Sequence, residues 1–98
     1  MVIVIEDDGP AIRDPLDFGR FSVRAVKGRS LRDGPQMAFE GESVAWVSQG
    51  ALRAWPELKD LPAWQDGLAK MLAYAAGKGW IDEARCAVRA HIEWVDET

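Results

Sequence analysis

Between Asp60 and Gly77 the apolar residues Trp64, Leu68, Met71, Leu72 and Ala75 recur at helical spacing, and nothing comparable precedes Gly50. Asp60 is placed to cap this helix, and Pro62 falls in its first turn, where a missing N–H costs nothing. Gly77 or Gly79 supplies the stop. The first fifty residues instead hold short β-branched and aromatic runs parted by turn residues: Val2 to Ile5, Phe18 to Lys27, Gln36 to Phe39 and Glu42 to Ser48. In Phe18 to Lys27, Phe21, Val23 and Ala25 fall on one face and Arg20, Ser22 and Arg24 on the other. Strands followed by helices point to an α+β fold rather than alternating α/β units.

The segment 80–95 supports two readings. As a helix it carries a stripe of Ile81, Ala84, Val88, Ile92 and Val95, with Asp82 and Glu83 near the favourable N-terminal end. As a strand, Cys86, Val88, Ala90, Ile92 and Trp94 alternate with Ala87, Arg89, His91 and Glu93. Local propensity, with its alanines and arginines, favours the helix. The expected architecture is therefore a small antiparallel sheet of about three to four strands from the N-terminal half. One long helix and a C-terminal helix cover it. The alternative makes 85–95 a further strand. Asp7-Asp8-Gly9-Pro10 reads as a turn, and residues 11–17 as irregular, because Pro15 interrupts any helix begun at Ala11.

Ninety-eight residues suit one domain, 1–98. At 48% hydrophobic and 29% charged, the chain is not of the disordered class. Cys86 is the one cysteine, so no internal disulfide exists. The apolar run at the N-terminus ends after five residues at Glu6, too short for a signal peptide, and no stretch is long enough to span a bilayer. These features lead us to expect a cytoplasmic protein without membrane contact.

The formal net charge is −4, but residues 18–32 hold Arg20, Arg24, Lys27, Arg29 and Arg32 and no acid. An acidic chain with one basic block makes a poor nucleic-acid binder, because phosphates are repelled elsewhere on the surface. A helix-turn-helix built from residues 61–95 is disfavoured for the same reason: from residue 61 onward the chain carries four bases against six acids.

The opening Val2-Ile3-Val4-Ile5-Glu6-Asp7-Asp8-Gly9-Pro10 through Asp14 resembles the start of a response-regulator receiver domain, where an apolar strand ends in paired acids that help hold Mg²⁺. A receiver also needs a phosphoacceptor aspartate at the end of a later strand. The corresponding stretch, Val44 to Leu52, contains none, and no role is carried over. His91 is the only histidine, and it stands five residues from Cys86, on the opposite face of a strand or about 140° away on a helix. No metal site, cofactor loop or catalytic constellation follows from such spacing.

Two features remain. Arg20, Ser22 and Arg24, with Arg29 and Arg32 in the loop beyond, form a basic face suited to a small anion. Five tryptophans exceed what so small a core readily hides, and Trp80 and Trp94 are the candidates for an interface. The leading expectation is a non-catalytic binding or interaction protein, a homodimer. The second is a small enzyme or ligand-binding protein that anchors an anionic small molecule through Arg20 and Arg24.

Overall fold

Residues 1–6, 9–28 and 30–96 are described by the computed structural model. Seven strands form one mixed sheet: β1 (Val2–Glu6), β2 (Gly9–Arg13), β3 (Ser22–Val26), β4 (Met37–Glu40), β5 (Val44–Ser48), β6 (Ile81–Asp82) and β7 (Ala87–Val95). Two helices, α1 (Gln49–Arg53) and α2 (Pro62–Gly77), separate β5 from β6, and a 3₁₀ turn spans Phe18–Arg20. The spatial order is β2-β1-β3-β7-β5-β4, with β6 alongside β7, and the sheet curls into a half-barrel. Strand β3 runs parallel to both β1 and β7, and the other neighbours are antiparallel.

The expectation of a three- or four-stranded antiparallel sheet with a C-terminal helix is corrected on three counts. First, Gly9–Arg13 forms a strand. Ala11 to Arg13 therefore belong to β2 rather than to an irregular stretch, and Pro10 is accommodated because β2 is an edge strand. Asp7 and Asp8, in the expected turn, lie outside the described residues. Second, Phe18 to Arg20 form the 3₁₀ turn, and β3 begins only at Ser22. Third, the C-terminal segment is a strand.

The third correction has a local cause and a global one. Asp82 and Glu83, the acids that would have favoured a helix start, are spent on a turn. The Asp82 carboxylate accepts from the Arg85 backbone N–H at 3.3 Å and from its Nε at 2.6 Å, and the Glu83 carbonyl accepts from Cys86 N at 3.3 Å. Cys86 takes a positive φ of 49°, which ends any helical path. The Arg85 hydrogen bond holds the Asp82 carboxyl below its usual pKa. Beyond the turn, β7 is paired along one edge to β5 over 87–91, and along the other to β6 at 87–88 and to β3 over 91–95. Hydrogen bonds on both edges and a buried row of Val88, Ala90 and Ile92 outweigh a few tenths of a kcal/mol of propensity per residue.

The concave face of the sheet carries Ile3, Val23, Ala25, Met37, Ala45, Val47, Val88, Ala90 and Ile92 into the core. Leu52, Trp55 and Leu58 close one end, and α2 contributes Trp64, Leu68, Leu72 and Ala75. No polar or charged residue is buried among those described. Met1 is buried too, and its ammonium donates to the Asp17 carbonyl. Burial is the main reason that the pKa of this amine lies below its ordinary value, although Asp17 and Asp14 oppose the shift.

Trp64 ties the two helices together. Its ring is fully buried, and its Nε1–H donates to the Leu52 carbonyl at 3.0 Å. That carbonyl also accepts from the Ala54 N–H and, at 3.4 Å, from Trp55 N. Trp64→Phe removes the donor and leaves a small void, and is expected to cost about 1–3 kcal/mol in denaturant unfolding. A cost below about 0.5 kcal/mol, typical of surface positions, would show that this bond does not organise the core.

Candidate functional site

The two strands that share one edge of β7 do not meet. Strand β6 ends its pairing at Val88 and β3 begins its own at His91. Between them Arg89 N donates to the Trp80 carbonyl at 2.8 Å, just before β6. Helix α2 lies at this parting, in contact with the 3₁₀ turn, β6 and β7. One side of the helix, with Trp64, Leu68, Leu72 and Ala75, enters the core. The adjoining flank presents Gly67, Lys70, Met71 and Tyr74, spaced three, one and three residues apart, and these line a cavity of about 840 Å³.

Phe18, Phe21, Tyr74 and Trp80 form the aromatic part of its lining. Met71, Ala75, Val44 and Val88 add aliphatic surface. The polar side chains are Ser43, Lys70, Arg89 and His91; no aspartate or glutamate is among them. Tyr74 and Trp80 meet edge to face with ring centres 6.0 Å apart, and Lys78 Nζ stands 5.5 Å from the Tyr74 ring centre. Both rings are substantially exposed, at 63% and 38%. A second, smaller depression at the start of α2 is lined by that helix alone, through Pro62, Ala63, Gln65, Asp66 and Ala69.

Gly67 fixes one wall. A Cβ at this position would lie 2.2 Å from a ring carbon of Phe18, so only glycine lets that ring approach the helix. The Phe18 ring in turn packs on Trp64, with centroids 5.7 Å apart.

The basic residues singled out from the sequence are dispersed. Arg20 sits in the 3₁₀ turn, exposed, with Nε 3.6 Å from Asp17. Arg24 lies on the outer face of β3 with NH2 3.7 Å from Glu93, and its buried Nε has no hydrogen-bond partner. Arg20 precedes β3, so the two arginines do not share a strand face. Ser22 is half-buried beside His91 in the register, and Arg32 is exposed in the loop before β4. Arg29 lies outside the described residues. None of Arg20, Ser22, Arg24 and Arg32 lines the cavity. Of the two interface candidates, Trp80 is at the cavity, whereas Trp94 is half-buried against the core with its Nε1 on the Glu42 carbonyl at 2.7 Å.

Arg89 and His91 were visible in the sequence only as one face of a possible strand. Gly67 and Met71 read as ordinary helix positions, and the approach of Phe18 and Phe21 depends on where β3 begins. Among the described residues no group of three or more histidine, cysteine or acidic side chains is placed to hold a metal, and no helix is long and apolar enough to cross a membrane. Ser43 and His91 both line the cavity, but among the described residues no hydrogen bond joins them. Comparison with known proteins yields no relative: no family model, curated protein or solved structure matches the chain.

Gly67→Ala sets two effects against each other. Alanine favours the helix by about 1 kcal/mol, while the clash with Phe18 is an overpacking event worth about 1–3 kcal/mol. We expect a net loss of stability, together with a red shift of tryptophan emission as Phe18 leaves the Trp64 ring. A gain of about 1 kcal/mol would show that Phe18 is not held against the helix.

Proposed function

We propose that the protein is a non-catalytic binding protein that takes a small molecule with an apolar body into the cavity between α2 and β7. The observation that carries this reading is the cavity itself. Its volume of about 840 Å³ lies within the range of small-molecule sites, about 300–1,000 Å³. Its lining is mostly aromatic and aliphatic, with a few polar groups, the usual division between contact area and orientation. It is walled by elements whose positions are independently fixed: Arg89 by its bond to the Trp80 carbonyl, and Phe18 by Gly67. Binding supported on such elements loses little to reorganisation.

Self-association is a second reading, favoured by the exposure of Tyr74 and Trp80 side by side. Contiguous apolar surface of this kind is commonly covered, and a two-fold contact between copies would cover it. A homodimer is expected to sediment above 10.9 kDa at micromolar concentration. A single species of that mass would end this second reading and leave the cavity as an open binding site.

The binding reading is tested with the neutral fluorophore N-phenyl-1-naphthylamine. One saturable site per chain is expected, with quenching of tryptophan emission and a dissociation constant in the micromolar range, on the order of −8 kcal/mol. Met71→Asp places a carboxylate in the apolar lining and should abolish binding while the far-UV spectrum stays unchanged. Absence of saturable binding by the wild-type chain would overturn the proposal.

A further inference from the structure

We infer that the cavity's ligand is an amphipathic monoanion, an apolar body bearing one carboxylate, whose head is held by Arg89 with His91 beside it. This inference rests on the binding reading above and names the ligand class for that site.

The argument begins with charge pairing. The chain has 16 acidic and 12 basic residues besides its single histidine, so an average patch of surface offers more acids than bases. The cavity lining reverses this, with Lys70, Arg89 and His91 and no carboxylate. Neighbouring arginines are engaged: Arg24 stands 3.7 Å from Glu93, and Arg85 Nε is 2.6 Å from Asp82. Lys70 is 3.5 Å from Asp66 one turn earlier on α2. No described carboxylate lies within ion-pair distance of Arg89 or His91.

The backbone then sets their direction. Arg89 and His91 alternate with the buried Val88, Ala90 and Ile92, so both leave β7 on its outer face, two residues apart. Across the register, Arg89 stands opposite Trp46, and His91 opposite Val44 on one side and Ser22 on the other. None of these three neighbours carries charge. Glu93 is next along the same face, but it is paired with Arg24. Both residues also border the cavity, as do Met71 and Trp80, at the parting between β6 and β3. A guanidinium in that position offers two parallel N–H donors to a carboxylate whose hydrocarbon part lies against the aromatic walls. A neutral ligand of the same body would forgo that charge-assisted contact.

The experiment is competition against N-phenyl-1-naphthylamine by dodecanoate and by dodecanol, which share a chain and differ in the head. Dodecanoate is expected to displace the probe at a concentration at least about tenfold lower, as a charge-assisted pair implies. Arg89→Gln should bring the two ligands level, with each competition referred to that variant's own affinity for the probe. Lys70→Gln, which alters a lysine already paired to Asp66, should change the ratio by less than about threefold. If the probe binds but the two ligands compete equally, or if neither competes, the anion inference is overturned and the binding reading stands. If Arg89→Gln leaves the preference intact, the assignment to Arg89 is overturned. If the probe itself fails to bind, both readings fall together.

Discussion

The rest of the molecule is arranged around one strand whose two edges are served unequally. Nine residues of β7 need hydrogen-bond partners on both sides. Strand β5 serves one edge over 87–91, and the Ser43 carbonyl extends it by accepting from Ile92 N at 2.9 Å. On the other edge β6 supplies two residues and β3 five, and they approach from opposite ends. The opening at Arg89 and Ala90 is bridged by the single bond to the Trp80 carbonyl. A helix laid over that opening buries one side against the core and leaves its adjoining flank facing outward. The opening beside which the cavity lies follows from the register of β7.

How much of this was legible in the sequence depended on whether a segment's neighbours were local. Helix α2 carried its apolar stripe and its stop locally, and its burial of Leu68 and Leu72 followed from periodicity alone; the expected cap did not hold, since the N-cap is Leu61 rather than Asp60 and no side chain caps the helix. The segment 80–95 carried two complete patterns because Val88 and Ile92 satisfy both a step of four and a step of two. What decides between them is Val23, Ala45 and Val47, strand residues more than forty positions away that pack on the same face. No local propensity reports such partners. The expected strand face of Arg20, Ser22 and Arg24 is broken at its first member for a smaller reason: the Phe18 turn delays β3 until Ser22.

The open ends of the sheet show how further strand addition is discouraged. On β4, the Gly34 N–H donates to the Met37 carbonyl and the Phe39 N–H to the Asp33 carboxylate, both at 2.9 Å, so the chain's own loop occupies the outer edge. On β2, Pro10 has no N–H to offer. With both edges blunted, contact with another molecule falls to side chains. The five tryptophans divide accordingly. Trp55 and Trp64 are buried, and Trp46 and Trp94 are half-covered with their Nε1–H groups bonded to Glu40 and to the Glu42 carbonyl. Trp80 alone is exposed, at the cavity.

A net charge of −4 opposes an anion only over distances that salt does not screen. The molecule measures 35 × 27 × 23 Å, whereas charges in physiological salt are screened over about 8 Å. Acids at the far ends of the sheet, such as Glu6 beside Arg13, therefore contribute little at Arg89. A guanidinium and a carboxylate about 4 Å apart at a partly desolvated mouth attract by about 4 kcal/mol at an effective dielectric of 20, against about 1 kcal/mol in bulk water. Desolvation of the head takes back part of that difference, less at an open mouth than in an interior. The sign of the local field is thus set by the residues within one screening length of the cavity, where Glu93 is paired with Arg24 and Asp66 with Lys70, and no described acid stands at ion-pair distance from Arg89 or His91. The hydrocarbon wall of Phe18, Phe21, Met71 and Trp80 lowers the dielectric beside them and raises the weight of that local charge over the global one.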